Sequence, residues 1–333
     1  MRVGIIGDFS RNNDEGLKNV AKQTFNGLSR HEELDVVKLN IRGKAVLTLI
    51  TEIRRTKPDI IHYIPGPTNK SIFLLGLLKI LLSKETRFVV SATHPIYSAN
   101  FLKRSGFKPD LYISSSLSHL KVVETLNIKT LYLPNGVDVG KFHPVSQQQK
   151  MTLRKKYGLK QATFTLLHVG HLIPNRNLGG IKELTKSNQV VIVASDYISK
   201  DDKIYNELRE SGCSIFEGYY PNIEEFYQCA DCYIFPVVPG NSIDCPLSIL
   251  EAMACNLPVI TTKFEGLSCF ESNDRDIMFV ENTSDLESLV DIIKSTNTKR
   301  TTREQVLNLS WDNIAATIVK EYKDLVNSGA NVC

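Results

Sequence analysis

At 333 residues the chain is too long for one ordinary domain, and the expectation is two of roughly 150 residues each. Hydrophobic residues make up 42% and charged residues 23%, which excludes a disordered, collagen-like or disulfide-scaffold chain and supplies a full core. The net charge of +4 divides unevenly, +8 over residues 1–140 and −4 over residues 141–333. The halves should therefore meet different things, with nucleic acid, an anionic membrane or a phosphate-bearing substrate as candidates for the first.

The opening residues 1–7 (MRVGIIG) are too short for a signal peptide and read as a first strand, so the fold should begin at once, in the cytosol. Residues 15–30 carry helical spacing through Leu17, Val20, Ala21, Thr24, Phe25 and Leu28. A strand at 35–39, a helix at 44–55 and a strand at 59–64 follow. Residues 70–82 then form an apolar helix, whose run IFLLGLLKILL is eleven residues long against the ~20 of a membrane span. Strands at 87–91 and 110–113, a helix at 117–126 and a strand at 129–133 complete the first half.

Turn chemistry at Pro134-Asn135-Gly136-Val137-Asp138 and a polar stretch at 141–156 mark a linker. Alternation restarts with strands at 163–169, 189–194, 214–217, 231–235 and 257–261. Strand–helix alternation with β-branched strands means parallel sheets covered on both faces. The fold class is α/β: two tandem Rossmann-like, doubly wound parallel-sheet domains facing a cleft. Ligands are expected beyond the carboxyl ends of the strands.

All seven cysteines lie between Cys213 and Cys333. Cys229 and Cys232 form a C-x-x-C pair. It reads either as a zinc or redox pair or as a helix end running into a buried strand. No second pair follows at zinc spacing, which favours the structural reading and a reduced, cytoplasmic protein.

Three loops carry the candidate chemistry. Residues 7–16 lead from a strand into a helix, and Gly16 there would let backbone N–H groups approach an anion, or form a plain turn. The absence of G-x-G-x-x-G argues against nicotinamide or flavin. Residues 170–178 (GHLIPNRNL) place His171 and Arg176 after the strand-end Gly170 and before a helix. That suits a diphosphate, or a solvated basic loop. In residues 236–262 (PVVPGNSIDCPLSILEAMACNLPVITT), Pro246 opens a helix carrying Glu251 among apolar neighbours. A carboxylate there should face a cleft, meeting ribose hydroxyls or a cation, unless it sits on an exposed helix face.

The segment SILEAMACNLPVITT resembles the signature of retaining glycosyltransferases of family 4 (group 1) type, which have the GT-B fold. PDIIHYI, SATHP, LPNGVDVGKFHP, HVGHLIPNRNL, FEGYYPNIEEFYQCADCYIFP and LSWDNIAATIVKEYKDL are similar to further family segments in order and spacing. The likeness is strong from about Leu133 onward and weak before Lys57. It implies an acceptor-side domain at 1–138, with a crossing helix at 311–327, and a nucleotide-sugar domain at 139–310. The implied reaction moves a hexose-type sugar from a nucleoside-diphosphate sugar to an acceptor hydroxyl of a glycan, glycolipid or small molecule, with retention.

The resemblance implies neither metal nor cofactor. Arg176 and His171, with backbone near Gly16 and Gly170, would meet the diphosphate. Glu251 would hold the ribose, Gly218 and Tyr219 the base, and His94 would sit at the acceptor-facing edge of the sugar. The sequence departs from the family pattern at Ile243, where a Glu is usual; neighbouring Asp244 is the candidate for a sugar hydroxyl. It also has His171 for an Arg, Arg176 for a Lys and Glu265 for a Gly. The partners implied are a nucleotide-sugar donor and a sugar or lipid-linked acceptor, without nucleic acid. The basic first domain adds a peripheral contact with an anionic membrane, on the inner face. The rivals are a degenerate GT-B binding protein without turnover and a sugar-nucleotide epimerase or hydrolase.

Overall fold

The computed structural model describes all residues except 11–15, 44, 93–98, 196–197, 239–244, 271–275, 297–298 and 331–333. The chain divides into two compact units. One comprises Met1–Gly136, Ser242–Cys245 and Trp311–Cys333; the other comprises Val137–Asn241 and Pro246–Ser310.

The first unit is a six-stranded parallel sheet of β1 (Arg2–Gly7), β2 (Asp35–Asn40), β3 (Ile60–Tyr63), β4 (Arg87–Ala92), β5 (Leu111–Ser114) and β6 (Thr130–Tyr132). Its order is β2-β1-β3-β4-β5-β6. The central strands are buried on both faces, as parallel strands under helical layers must be. The connecting helices are α1 (Gly16–Leu28), α2 (Val46–Thr56), α3 (Asn69–Leu81), α4 (Ala99–Ser105) and α5 (Leu117–Glu124). One core gathers Leu49, Ile53, Ile72, Leu75, Leu78, Leu120 and Val123 from α2, α3 and α5 against the sheet.

Helix α3 is apolar all round, and its two sides have different fates. Ile72, Leu75 and Leu78 are fully buried, while Phe73 and Ile80 are 71% and 81% exposed.

In the second unit α6 (Gln147–Lys156) precedes β7 (Thr165–Gly170). Then come β8 (Gln189–Ala194), α7 (Asp202–Glu210), β9 (Ser214–Glu217), α8 (Glu224–Cys229), β10 (Cys232–Phe235), α9 (Leu247–Ala254), β11 (Val259–Thr261), β12 (Ile277–Phe279), α10 (Leu286–Ser295) and α11 (Thr302–Val306). The sheet is again parallel, in the order β12-β11-β10-β7-β8-β9. The last helix, α12 (Trp311–Ala330), belongs to the first unit and packs on α1. Gly27 permits that approach, since a Cβ there would lie 2.9 Å from the Ala315 Cβ. Tyr322 of α12 reaches the sheet: its hydroxyl is 2.6 Å from His62 Nδ1, and His62 Nε2 is 2.7 Å from Ser91 Oγ.

The structure differs from the sequence reading at three places. After β7 there is no α-helix; Pro174–Arg176 and Leu178–Lys186 are 3-10 turns. Asn177 is left-handed at φ 52°, and Gly180 passes so close to Thr283 that a Cβ would lie 2.5 Å from the Thr283 Cβ. The polar stretch before β7 contains α6, which buries only Arg154 and so shows no apolar period; a capping box between Ser146 and Gln149 starts it. Strand β12 has three residues and falls below what periodicity detects.

Candidate functional site at the carboxyl ends of β7 and β10

The order of the second sheet reverses between β7 and β10. Neighbouring connections leave there on opposite faces, which opens a crevice beyond the strand ends. The ladder between these two strands is short, pairing only Cys232 with Leu166 and Tyr233 with Leu167. Side chains continue the connection on both sides. Before it, the Asp231 carboxylate accepts from the Thr165 N–H at 2.7 Å, from Lys150 at 2.6 Å and from the buried Arg154 at 2.6 Å. After it, the Tyr233 hydroxyl donates to the Val169 carbonyl at 3.2 Å, and His168 Nδ1 lies 2.9 Å from the Ile234 carbonyl.

Beyond the ladder, β7 presents His168, Gly170 and, from the following 3-10 turn, Arg176. His168 is 1% exposed and stacks on Phe235, with centroids 5.6 Å apart. The Arg176 guanidinium lies over the same ring, 5.2 Å from its centroid, as a cation–π contact. A Cβ at Gly170 would fall 3.1 Å from His168 Nε2 and 3.6 Å from Arg176 Nε, so the bare glycine leaves both nitrogens facing the same space.

Three buried nitrogens here have no hydrogen-bond partner among the described residues: His168 Nε2, His171 Nδ1 and Arg176 Nε. A buried polar atom without a partner costs about 1–3 kcal/mol, so three in one place mark a site made for something else to fill.

Burial lowers the Arg176 pKa, yet an arginine remains a cation. Burial first, and then the Arg176 charge, hold His171 below the usual histidine range; a backbone hydrogen bond to Ser195 opposes them. His168 is pushed down to about 4 by burial, against its bond to the Ile234 carbonyl. At neutral pH these described residues thus supply one cation, Arg176, and two neutral imidazoles.

On the other side, α9 carries Glu251. Its Oε2 accepts from the Tyr227 hydroxyl at 2.8 Å. Burial pushes the carboxyl up to about 7, while the Tyr227 bond acts in the opposite direction. Glu251 and Arg176 both lie within electrostatic reach of Tyr233. The cation suits an anion, and the carboxylate suits paired hydroxyls.

Of the residues singled out in the sequence, Gly170, His171 and Arg176 come together here, with Glu251 across the aromatic pair Tyr227 and Tyr233. Gly218 follows β9, two strands further along the carboxyl edge. It has φ 104° and donates its N–H to the Ala194 carbonyl at 3.0 Å. Tyr219 beside it is 46% exposed. Gly16 opens α1 in the first unit and is exposed. His94, Ile243 and Asp244 lie outside the described residues.

Sequence reasoning passed over His168, Tyr227, Tyr233 and Phe235. The available signal was a histidine inside an apolar strand, two residues before its terminal glycine. Cys229 closes α8 and Cys232 opens β10; both are buried and unbridged, and no metal-ligand cluster is found among the described residues. In the first unit a small cavity beyond β4 and β5 is walled by Ser91, Ser114, Ser115, Asn135 and Trp311, and none of its lining residues is charged.

The chain is similar to known proteins over most of its length. Residues 139–296 match the family model described as glycosyl transferases group 1. The chain is similar to the UDP-Gal:alpha-D-GlcNAc-diphosphoundecaprenol alpha-1,3-galactosyltransferase of Escherichia coli, 24% identical over 309 residues that cover 84% of this chain and 75% of that one. The fold matches that of Anabaena Alr3699/HepE, solved in complex with UDP and glucose, at a TM-score of 0.73 and 15% identity over 97% of this chain and 100% of that one. A glycosyltransferase from Rickettsia africae ESF-5 superposes with a TM-score of 0.72 and 16% identity over 98% of each chain.

Proposed function

We propose, from the premise that this chain is a glycosyltransferase of the group 1 type with the GT-B fold, that it moves a hexose-type sugar from a nucleoside-diphosphate sugar to an acceptor hydroxyl with retention. The observation that carries the donor assignment is the half-buried Arg176, which makes no salt bridge among the described residues and stands beside two unpartnered imidazole nitrogens.

In this reading the diphosphate lies against Arg176 and His171. Breaking the bond from the sugar to the diphosphate leaves negative charge on the departing phosphate. A cation fixed in a partly desolvated crevice stabilises that charge without reorganising. Side chains thus do what a metal ion would otherwise do. The proton released by the acceptor hydroxyl passes to the departing phosphate, so no separate side-chain base is required. Glu251 accepts the ribose hydroxyls, and the loop at Gly218 and Tyr219 runs beside the base.

The first unit, in the same reading, meets an anionic membrane as a peripheral partner of a sugar or lipid-linked acceptor. Two features support this. Phe73, Ile80 and Leu47 project from the α2 and α3 layer, and the exposed Arg54, Arg55, Lys57 and Lys84 belong to the same layer. Lys79 and Arg87, by contrast, are engaged with Asp110. No helix among the described residues is long and apolar enough to cross a bilayer.

Four outcomes test the reading. A thermal-shift panel of UDP-, GDP-, ADP- and dTDP-sugars should contain one that stabilises the protein by about 2.7 kcal/mol at 100 times its Kd. Glu251→Ala should weaken that ligand roughly 10–150-fold with the fold intact. An unchanged affinity would place Glu251 outside the donor site.

A bound diphosphate favours the imidazolium, so wild-type binding should weaken as pH rises from the lowered titration of free His171 through the raised titration of its bound, phosphate-paired form. His171→Arg stays charged and should lose that alkaline limb. The opposite contribution of Glu251, whose carboxylate forms as pH rises through about 7, is common to both proteins and cancels in their ratio. Identical limbs would remove His171 from the phosphate.

Liposomes of anionic phosphatidylglycerol should bind the protein at low salt and release it as salt rises. Equal binding to neutral phosphatidylcholine, or none to either, would make a soluble acceptor the better assignment.

A further inference from the structure

His168 is buried in the strand that leads into the site and is neither a phosphate-binding cation nor a satisfied core residue. Its Nδ1 faces the Ile234 carbonyl at 2.9 Å. A carbonyl only accepts, so Nδ1 carries the proton and Nε2 presents a lone pair. That lone pair is buried and unpartnered. Beside it, across the bare Gly170, stands the Arg176 Nε–H, a donor that is also unpartnered. Both groups lie against the ring of Phe235, which restricts them to that side of the crevice.

From this geometry we infer that His168 is a positioning residue: when the donor binds, its Nε2 takes up a hydrogen bond from the Arg176 side chain, through one water or a small rotation of the guanidinium, and so aims the guanidinium at the donor diphosphate. The inference rests on the donor reading above. Phosphate oxygens of a bound diphosphate only accept, so they cannot satisfy Nε2 themselves; the guanidinium, with five N–H donors, can serve the imidazole and the phosphate together. The neutral state of His168 fits this role, because an imidazolium beside Arg176 would repel it. A side chain at position 170 would intrude between the two nitrogens, which gives the strand-end glycine a reason that backbone geometry does not.

Two amide substitutions separate positioning from mere packing. His168→Asn places an N–H where Nδ1 stands, keeps the bond to Ile234 and removes the inner acceptor. His168→Gln places its amide where Nε2 stands and gives up the Ile234 bond. Affinity is measured calorimetrically with whichever of UDP, GDP or ADP shifts wild type most, and the melting temperature of each protein is taken without ligand. His168→Asn should bind about 10-fold more weakly and His168→Gln should stay within about 3-fold of wild type, the loss of one hydrogen bond to a charged group. In an Arg176→Ala background, His168→Asn should cost nothing further, because residues that act through one another are not additive.

If Arg176→Ala alone leaves affinity unchanged, the donor reading fails and takes the inference with it. If Arg176→Ala weakens binding but His168→Asn adds an independent loss, or binds like wild type on its own, the donor reading stands and the positioning role is refuted. A purely structural His168 would show the reverse ranking, with Gln worse than Asn in both melting temperature and affinity.

Discussion

The second unit is organised around the brief contact between β7 and β10. The strands pair over two residue positions, with one further backbone bond from the Asp231 N–H to the Thr165 carbonyl, yet they must stay adjacent for the sheet to reverse its order there. Asp231 holds them on the amino side, where its carboxylate neutralises the buried Arg154 and caps the Thr165 N–H. On the carboxyl side the ladder gives way to side-chain bonds from His168 and Tyr233, and the strand ends are free to line a crevice. Rigid anchoring at one edge and open polar groups at the other are what a binding site on a parallel sheet requires.

The two buried histidines among the described residues show how similar sequence contexts reach different ends. His62 and His168 each sit within an apolar strand, and burial drives both well below the ordinary range, His62 to about 3 and His168 to about 4. Both are therefore neutral. His62 has a hydroxyl on each ring nitrogen, from Tyr322 and Ser91, and joins α12 to the sheet. His168 has one protein partner, and its second nitrogen faces the crevice. Complete satisfaction fits a structural role, and incomplete satisfaction points to function.

Much of this was legible in the sequence. Near-continuous β-branched runs such as QVVIVA and RFVVSA announced buried parallel strands. Arg176, His171 and Glu251 stood out because charged groups near strand ends or among apolar neighbours need a reason. What remained hidden depends on partners distant in sequence. The acceptor role of His168 follows only from its approach to the Ile234 carbonyl, 66 residues away, and Tyr227 gains meaning only beside Glu251. Helix α6 escaped because its one buried side chain, Arg154, is charged and finds its carboxylate in Asp231. The outer face of α3 escaped because an apolar helix reads as core until its neighbours are known.

The central claim is that the free nitrogens at the end of β7 are the partners of the donor's diphosphate and of the arginine that holds it. Two-bond 1H–15N spectra of histidine-labelled protein, recorded with and without the binding nucleoside diphosphate, address it atom by atom. The account requires the His168 Nε2 and His171 Nδ1 resonances to move on binding, while His62, with both nitrogens engaged, stays still. Binding that leaves the His168 and His171 rings unperturbed would place the nucleotide elsewhere and contradict the account.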